Sequence, residues 1–374
     1  MSEKQYRTLM LPPTGKKRDD YFDIVRGIAV FLMLWGHSIQ YSSCGTFDFF
    51  ENRLYQFIYS FHMPLFMLLA GYFFYFSLQK HSIGHTLLNR ARSLGIPLLV
   101  WGFFSVLCNY WLYKSPVSIS QWYNSCKGFW FVWVTLALSI LTGRIEWCIS
   151  LLSKLFPTPL YSLLHVVGFL LVILIPNNIP ILRYHLFQYM YPYFIIGFLY
   201  NRFKSYIPKT LYYAKYLCFL LFPLLFTHFK RNTFIYLSGI NFRNEFGMIN
   251  TAQLKVDLLR WGIGLVGSIC VMICVELFKK IPCIGKILRI LFAYIGTVSL
   301  QLYVTQRICL ETLYAFKINQ LFQTKNFTLM LKNIYLYNLY WTPLVAVLFC
   351  LILYFVVKLL QKNKFLNFIL FGGR

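Results

Sequence analysis

Arg26 and His37, with Asp23 just ahead of them, are the residues of this chain best equipped for chemistry. All three lie in the apolar stretch YFDIVRGIAVFLMLWGHSIQ, 21–40. An ionisable side chain inside a membrane span is costly, so it marks a functional or a paired site. Arg26 and His37 are close to three helical turns apart and so share one face, about 16 Å apart along the axis. Asp23 sits one turn before Arg26 on that face, where it can pair with the guanidinium. The face therefore shows an acid, a fixed cation and an imidazole, the side chain that takes and gives protons near neutral pH. The competing readings are a packed, hydrogen-bonded His37 and an Arg26 that only pins the first helix through Asp23.

Three further places carry usable groups. His62 lies in SFHMPLFMLLAGYFF, 60–74, where Pro64 frees a backbone carbonyl and Gly71 lets a neighbouring helix come close. His62 reads equally as a group that touches an acceptor and as a packed histidine bonded to backbone. Arg90 and Arg92 stand where the chain re-enters an apolar run. Arginine holds phosphate through two parallel hydrogen bonds and keeps its charge, so the pair suits a phosphorylated cofactor as well as an ordinary boundary anchor. Among eleven acids in the chain, Glu311 is the best placed to orient His37. Its alternative is an interfacial pair with Arg307, one turn earlier.

The elements that must position these groups are membrane helices. The chain has 374 residues, 58% hydrophobic and 13% charged, and long apolar runs recur along it. The expected fold is an all-α polytopic membrane protein of about ten transmembrane helices, at about 21–40, 55–78, 94–113, 127–142, 157–175, 185–200, 212–228, 257–278, 288–314 and 334–357. The first helix is expected to be retained, because no small-residue cleavage site follows it. An even span count puts both tails, 1–20 and 358–374, on one side. Lys and Arg in the tails and even-numbered connections outnumber those in the opposite loops, so that side is the cytoplasm. Residues 21–357 then form a single transmembrane domain. The net charge of +25 is spread between the apolar runs. It speaks for membrane lipid headgroups and topology and against nucleic acid. The ten cysteines show no metal or disulfide spacing. No metal is expected.

Four stretches together resemble the acyltransferase 3 family of integral-membrane acyltransferases, many of which O-acetylate bacterial surface sugars. They are DIVRGIAVFLMLWGHS, matching the family's Arg-x10-His on Arg26 and His37 and its Asp on Asp23; FHMPLFMLLAGYFF; Arg90-Ala91-Arg92 followed by IPLLVWG; and FWFVWVTLAL, 129–138. YIGTVSLQLYVTQ, 294–306, is a weaker match to a late helix. Two positions depart from the pattern. Ala70 stands where Ser is common, and Gln306 stands where the late helix often carries His.

The resemblance implies an acyl-CoA donor, most often acetyl-CoA, and a saccharide acceptor, which can be lipid-linked, at the bacterial inner membrane. His37 would be the base or acyl carrier, with Arg26, Asp23 and Glu311 around it. Arg90, Arg92 and Arg26 would hold coenzyme A phosphates, and His62 and Trp130 would meet the acceptor. The thioester would enter from inside and the acceptor from outside. The rival class is a transporter, flippase or polymerase of a polysaccharide pathway. A flippase would need broken helices or repeated halves, and no repeat is visible.

Overall fold

The structure is a computed structural model and describes residues 20–44, 47–155, 162–175, 183–240, 250–321 and 333–373. The described residues form helices and connections, with no strand among them. In chain order the helices are α1 (Tyr21–Ser42), α2 (Arg53–Lys80), α3 (Ile83–Tyr113), α4 (Ile119–Gly128), α5 (Trp130–Leu155), α6 (Leu164–Leu174), α7 (Tyr184–Phe203), α8 (Tyr212–Phe226), α9 (Thr251–Lys279), α10 (Pro282–Thr297), α11 (Ser299–Gln320), α12 (Ile334–Gln361) and α13 (Lys364–Phe371). Local chemistry sets several of their starts. The Asn52 side chain accepts from the Leu54 and Tyr55 amides to open α2, and Asn250 accepts from Gln253 to open α9.

Among the described residues six helices are long and apolar enough to cross a membrane, or seven if the bent pair α10 and α11 is one span. The chain is therefore a multi-pass membrane protein. The expected ninth span, 288–314, is not one rod, because α10 and α11 meet at a 68° bend around Val298. Two other expected spans, 157–175 and 212–228, correspond to the shorter apolar helices α6 and α8. Residues 157–161 of the first of these lie outside the described residues. α7 has the length of a span but is richer in Tyr and polar groups. Residues 358–374, expected as a tail, carry the end of α12 and then α13. Trp101 on α3 donates to the Leu370 carbonyl at 2.7 Å, which holds α13 against that helix. Cys44 and Cys126 are both free.

α1 lies at the centre and packs against α2, α9, α10, α11 and α12. Its Tyr21 hydroxyl donates to the Met272 carbonyl of α9 at 2.9 Å, and its Trp35 donates to Thr342 of α12 at 3.0 Å. Glycines bring backbones together at two crossings. A Cβ on Gly71 of α2 would stand 1.9 Å from the Phe194 carbonyl oxygen of α7, and one on Gly197 would stand 2.0 Å from that of Leu68. Gly27 of α1 and Gly296 of α10 form the second reciprocal crossing, against Phe292 and Asp23. This is how membrane helices associate where water gives no hydrophobic drive. The outside of the bundle is apolar. Leu344, Leu348, Leu351, Ile352 and Phe355 of α12 are exposed, as a lipid-facing surface requires.

Candidate active site

α1 carries His37 into a polar cluster made mostly by α11. Glu311 Oε1 stands 3.6 Å from His37 Nε2, and the two side chains are 11% and 17% exposed. The Glu311 carboxylate is held from several sides. Arg307 donates to Oε2 at 2.8 Å, Tyr41 of α1 donates to the same oxygen at 3.2 Å, and Gln306 donates to Oε1 at 2.8 Å. On the other side of the imidazole, the Tyr59 hydroxyl of α2 lies 3.3 Å from Nδ1. The ring also stacks on Tyr41 and meets Tyr59 edge-on. A carboxylate facing Nε2 favours a proton there, which leaves Nδ1 with the lone pair, on the Tyr59 side.

The backbone explains how α11 does this. Between Arg307 and Tyr314 the helix widens to π-type turns, in which residues five apart come onto one face. The Gln306 to Glu311 bond has that spacing, as does the bond from Thr312 Oγ1 to the Arg307 carbonyl at 3.2 Å. Gln306 is buried and spends its amide on the carboxylate that faces His37.

A cavity of about 660 Å³ opens at the end of the bundle where α1 begins and α2 and α12 end, called here the tail end. Four cations line it, Arg26, Lys80, Arg90 and Lys358, and no carboxylate lies among its lining residues. The 68° bend between α10 and α11 falls in its wall, so Ser299, Leu300 and Gln301 of the first α11 turn line it too. The positive end of that helix adds to the attraction for an anion. Arg26 also contacts Asp23 at 3.4 Å and lies over the Phe73 ring at 4.1 Å, and Arg90 lies over Phe74. Deepest toward His37 stand the rings of Phe66, Phe131 and Tyr303, with centroids 5.7 and 5.5 Å apart in that order. Beyond them Trp130, Tyr236 and Tyr59 continue ring by ring to His37.

The structure thus brings together His37 and Glu311, and separately Arg26 and Arg90. Arg92 is exposed and does not line the cavity. His62 is 1% exposed, with Nδ1 2.8 Å from the Ile58 carbonyl of its own helix. Trp130 is buried in the ring series and Asp23 is buried at the foot of α1. Nothing in the sequence singles out Tyr59 or Tyr41 at His37, or Lys80 and Lys358 at the cavity, and Gln306 stands out there only as a departure from the resembled pattern. The lysines read as boundary charges, and only the fold brings them together.

Comparison with known proteins agrees with this architecture. A family model described as an acyltransferase domain matches residues 19–360. The protein named Nodulation protein NolL of Sinorhizobium fredii is 26% identical over 304 residues, covering 78% of each chain. The protein of the same name in Mesorhizobium japonicum is 27% identical over 232 residues, covering 56% of this chain and 58% of that one. No solved structure matches. The matched region runs from the foot of α1 nearly to the end of α12 and holds both the His37 cluster and the cationic cavity. The chain belongs to the acyltransferase 3 family and is a membrane acyltransferase.

Proposed function

We propose that the protein moves an acyl group, most simply acetyl, from acyl-CoA to a saccharide hydroxyl in the bacterial inner membrane, with its tail end in the cytoplasm. The observation that carries the reading is one helix, α1, which joins a cation-lined cavity at Arg26 to a carboxylate-backed imidazole at His37. The charges of Arg26, Lys80, Arg90 and Lys358 suit the phosphates of coenzyme A, whereas Arg92, expected in that role, stands outside the cavity. The ring series from Phe66 to Tyr59 gives the pantetheine arm an apolar route toward His37. Trp130 belongs to that route, and His62 supports it from behind Tyr59, whose ring it meets at 4.7 Å.

At His37 the chemistry is general base catalysis. Nδ1 takes the acceptor's hydroxyl proton as its oxygen attacks the thioester carbonyl carbon. The carbon–sulfur bond then breaks, and the imidazolium returns the proton to the departing thiolate. Glu311 stabilises the imidazolium formed in between and fixes its ring orientation. An ester and a free thiol result, with no redox change.

The test uses detergent-purified protein and labelled acetyl-CoA. Wild type is expected to hydrolyse the thioester slowly or to transfer label. His37→Gln should lower that rate by about 10²- to 10⁴-fold with acetyl-CoA still bound. Lys80→Ala and Lys358→Ala should raise KM for acetyl-CoA and leave kcat near wild type. A His37→Gln protein as active as wild type would remove the reading.

A further inference from the structure

A second cavity, of about 690 Å³, opens at the opposite end of the bundle. Its polar lining is Arg53, Gln56, Lys230, Arg231, Asn232 and Ser238, and Glu51 is the one carboxylate among its lining residues. We infer that this cavity seats the acceptor and that the acceptor carries an anionic group, a carboxylate or phosphate, beside the saccharide. The inference rests on the acyltransferase reading above and deepens it.

Three observations support it. The first is charge. Arg231 is ion-paired with Asp48, and among the described lining residues Arg53 and Lys230 stand against the single carboxylate of Glu51, so this lining is positive. Arginine's planar fork suits a carboxylate or phosphate in particular.

The second is that the walls are held in place. Arg53 is fixed between α2 and the loop after α8, donating to Gln56 Oε1 at 2.9 Å and to the Phe229 carbonyl at 3.4 Å. Gln56 donates in turn to the Phe50 carbonyl at 2.8 Å. Ser238, on the far wall, accepts from Arg260 of α9 at 2.9 Å, as does the Gly239 carbonyl. Arg260 is 1% exposed and ion-paired with Asp257 at 2.5 Å, so a fully buried pair anchors that wall to a membrane helix. Breaking such a pair leaves an uncompensated buried charge, which is strongly unfavourable.

The third is the connection to His37. Tyr55 and Tyr59 stack at 4.0 Å on α2 directly below Arg53 and Gln56, and Phe234, in the loop between Arg231 and Ser238, packs on Tyr55 at 5.7 Å. Arg53 and Tyr59 are about 9 Å apart along the helix axis. An acceptor held by its anion at Arg53 and Lys230 would then present a hydroxyl near the Tyr59 hydroxyl, on the Nδ1 side of His37, at about the span of a disaccharide. Tyr59 marks the position that hydroxyl takes.

The test compares cells carrying wild type, Arg53→Gln/Lys230→Gln and the charge-keeping Arg53→Lys/Lys230→Arg, each at matched membrane abundance. Surface glycan is fragmented and its acetylated pieces are read by NMR. The acetyl content should fall roughly tenfold or more in the charge-removed pair. It should recover in the charge-keeping pair, and the acetylated fragment should contain a uronate or phosphate. Binding of acetyl-CoA by the purified charge-removed protein should match wild type, since neither residue lines the donor cavity. Unchanged acetylation in the charge-removed pair, or acetylated fragments that are all neutral, would overturn the inference. So would hydrolysis that phosphatidylglycerol vesicles stimulate in wild type but not in the charge-removed pair, since the anion would then be a lipid headgroup. If wild type itself neither hydrolyses nor transfers from acetyl-CoA, the donor reading fails instead, and the two failures stay distinct.

Discussion

Glu311 stands beside His37 because the backbone of α11 widens between Arg307 and Tyr314. In an ideal helix the five-residue step from Gln306 would turn Glu311 well off Gln306's face. Spacing alone therefore pairs Glu311 with Arg307, four residues earlier, and that bond is present at 2.8 Å. The same oxygen pair also faces the imidazole, so the two readings of Glu311 are compatible. The alignment of Arg26 and His37 was legible, because α1 is regular over three turns. Tyr59 was not legible, since its place depends on how α2 crosses α1. Replacing Glu311 by Gln keeps the size and removes the charge that would stabilise the imidazolium. The expected result is a fall in kcat of about 10²-fold or more, with KM for acetyl-CoA little changed. Steady-state kinetics on purified protein would check it, and an equal rise in KM would point to a disturbed donor cavity.

The helices were foreseen with different success for physical reasons. Hydropathy finds a run of apolar residues but says nothing about its axis, so 288–314 read as one span although it turns by 68° at Val298. The bend has a use, because it presents the first turn of α11 to the cationic cavity. The close approach at Gly71 was legible from the residue, and its partner helix was not. α7 supplies it, with Gly197 placed reciprocally. Gly71→Leu would drive a side chain into the Phe194 carbonyl, where backbone and not a flexible side chain must yield. We expect a loss at or above about 3 kcal/mol, seen as little folded protein in the membrane and a lowered detergent Tm. Ala70→Ser, a neighbour not set against that carbonyl, should leave abundance unchanged.

At the scale of the whole molecule, a clamp at the tail end ties the start of the chain to its middle. Asp20 accepts from Arg289 of α10 and pairs with Lys279 of α9 at 2.5 Å. Burial raises its carboxyl, but the hydrogen bonds and the charges of Lys279 and Arg289 together outweigh that and hold it below its ordinary value of 3.8. A carboxyl lowered by folding contributes stability that is complete above its unfolded value and is lost as pH falls through its folded one. Asp20→Asn should therefore cost about 1 kcal/mol near neutral pH. Its Tm should converge on wild type as the pH is lowered below 3.8, the ordinary value. A gap that persists in acid would assign Asp20 a role other than charge.

The two cavities share no lining residue, and α2 contributes Arg53 and Gln56 to one and Phe66 through Lys80 to the other. Packed rings and His37 occupy the interval between them. On the proposed reading, an acyl group passes that interval in one direction and a proton, carried by His37, passes in the other. The exchange is electroneutral. Transfer would then run at the same rate on a polarised or a depolarised membrane, and the ring layer would let a two-carbon unit through without opening a leak for ions.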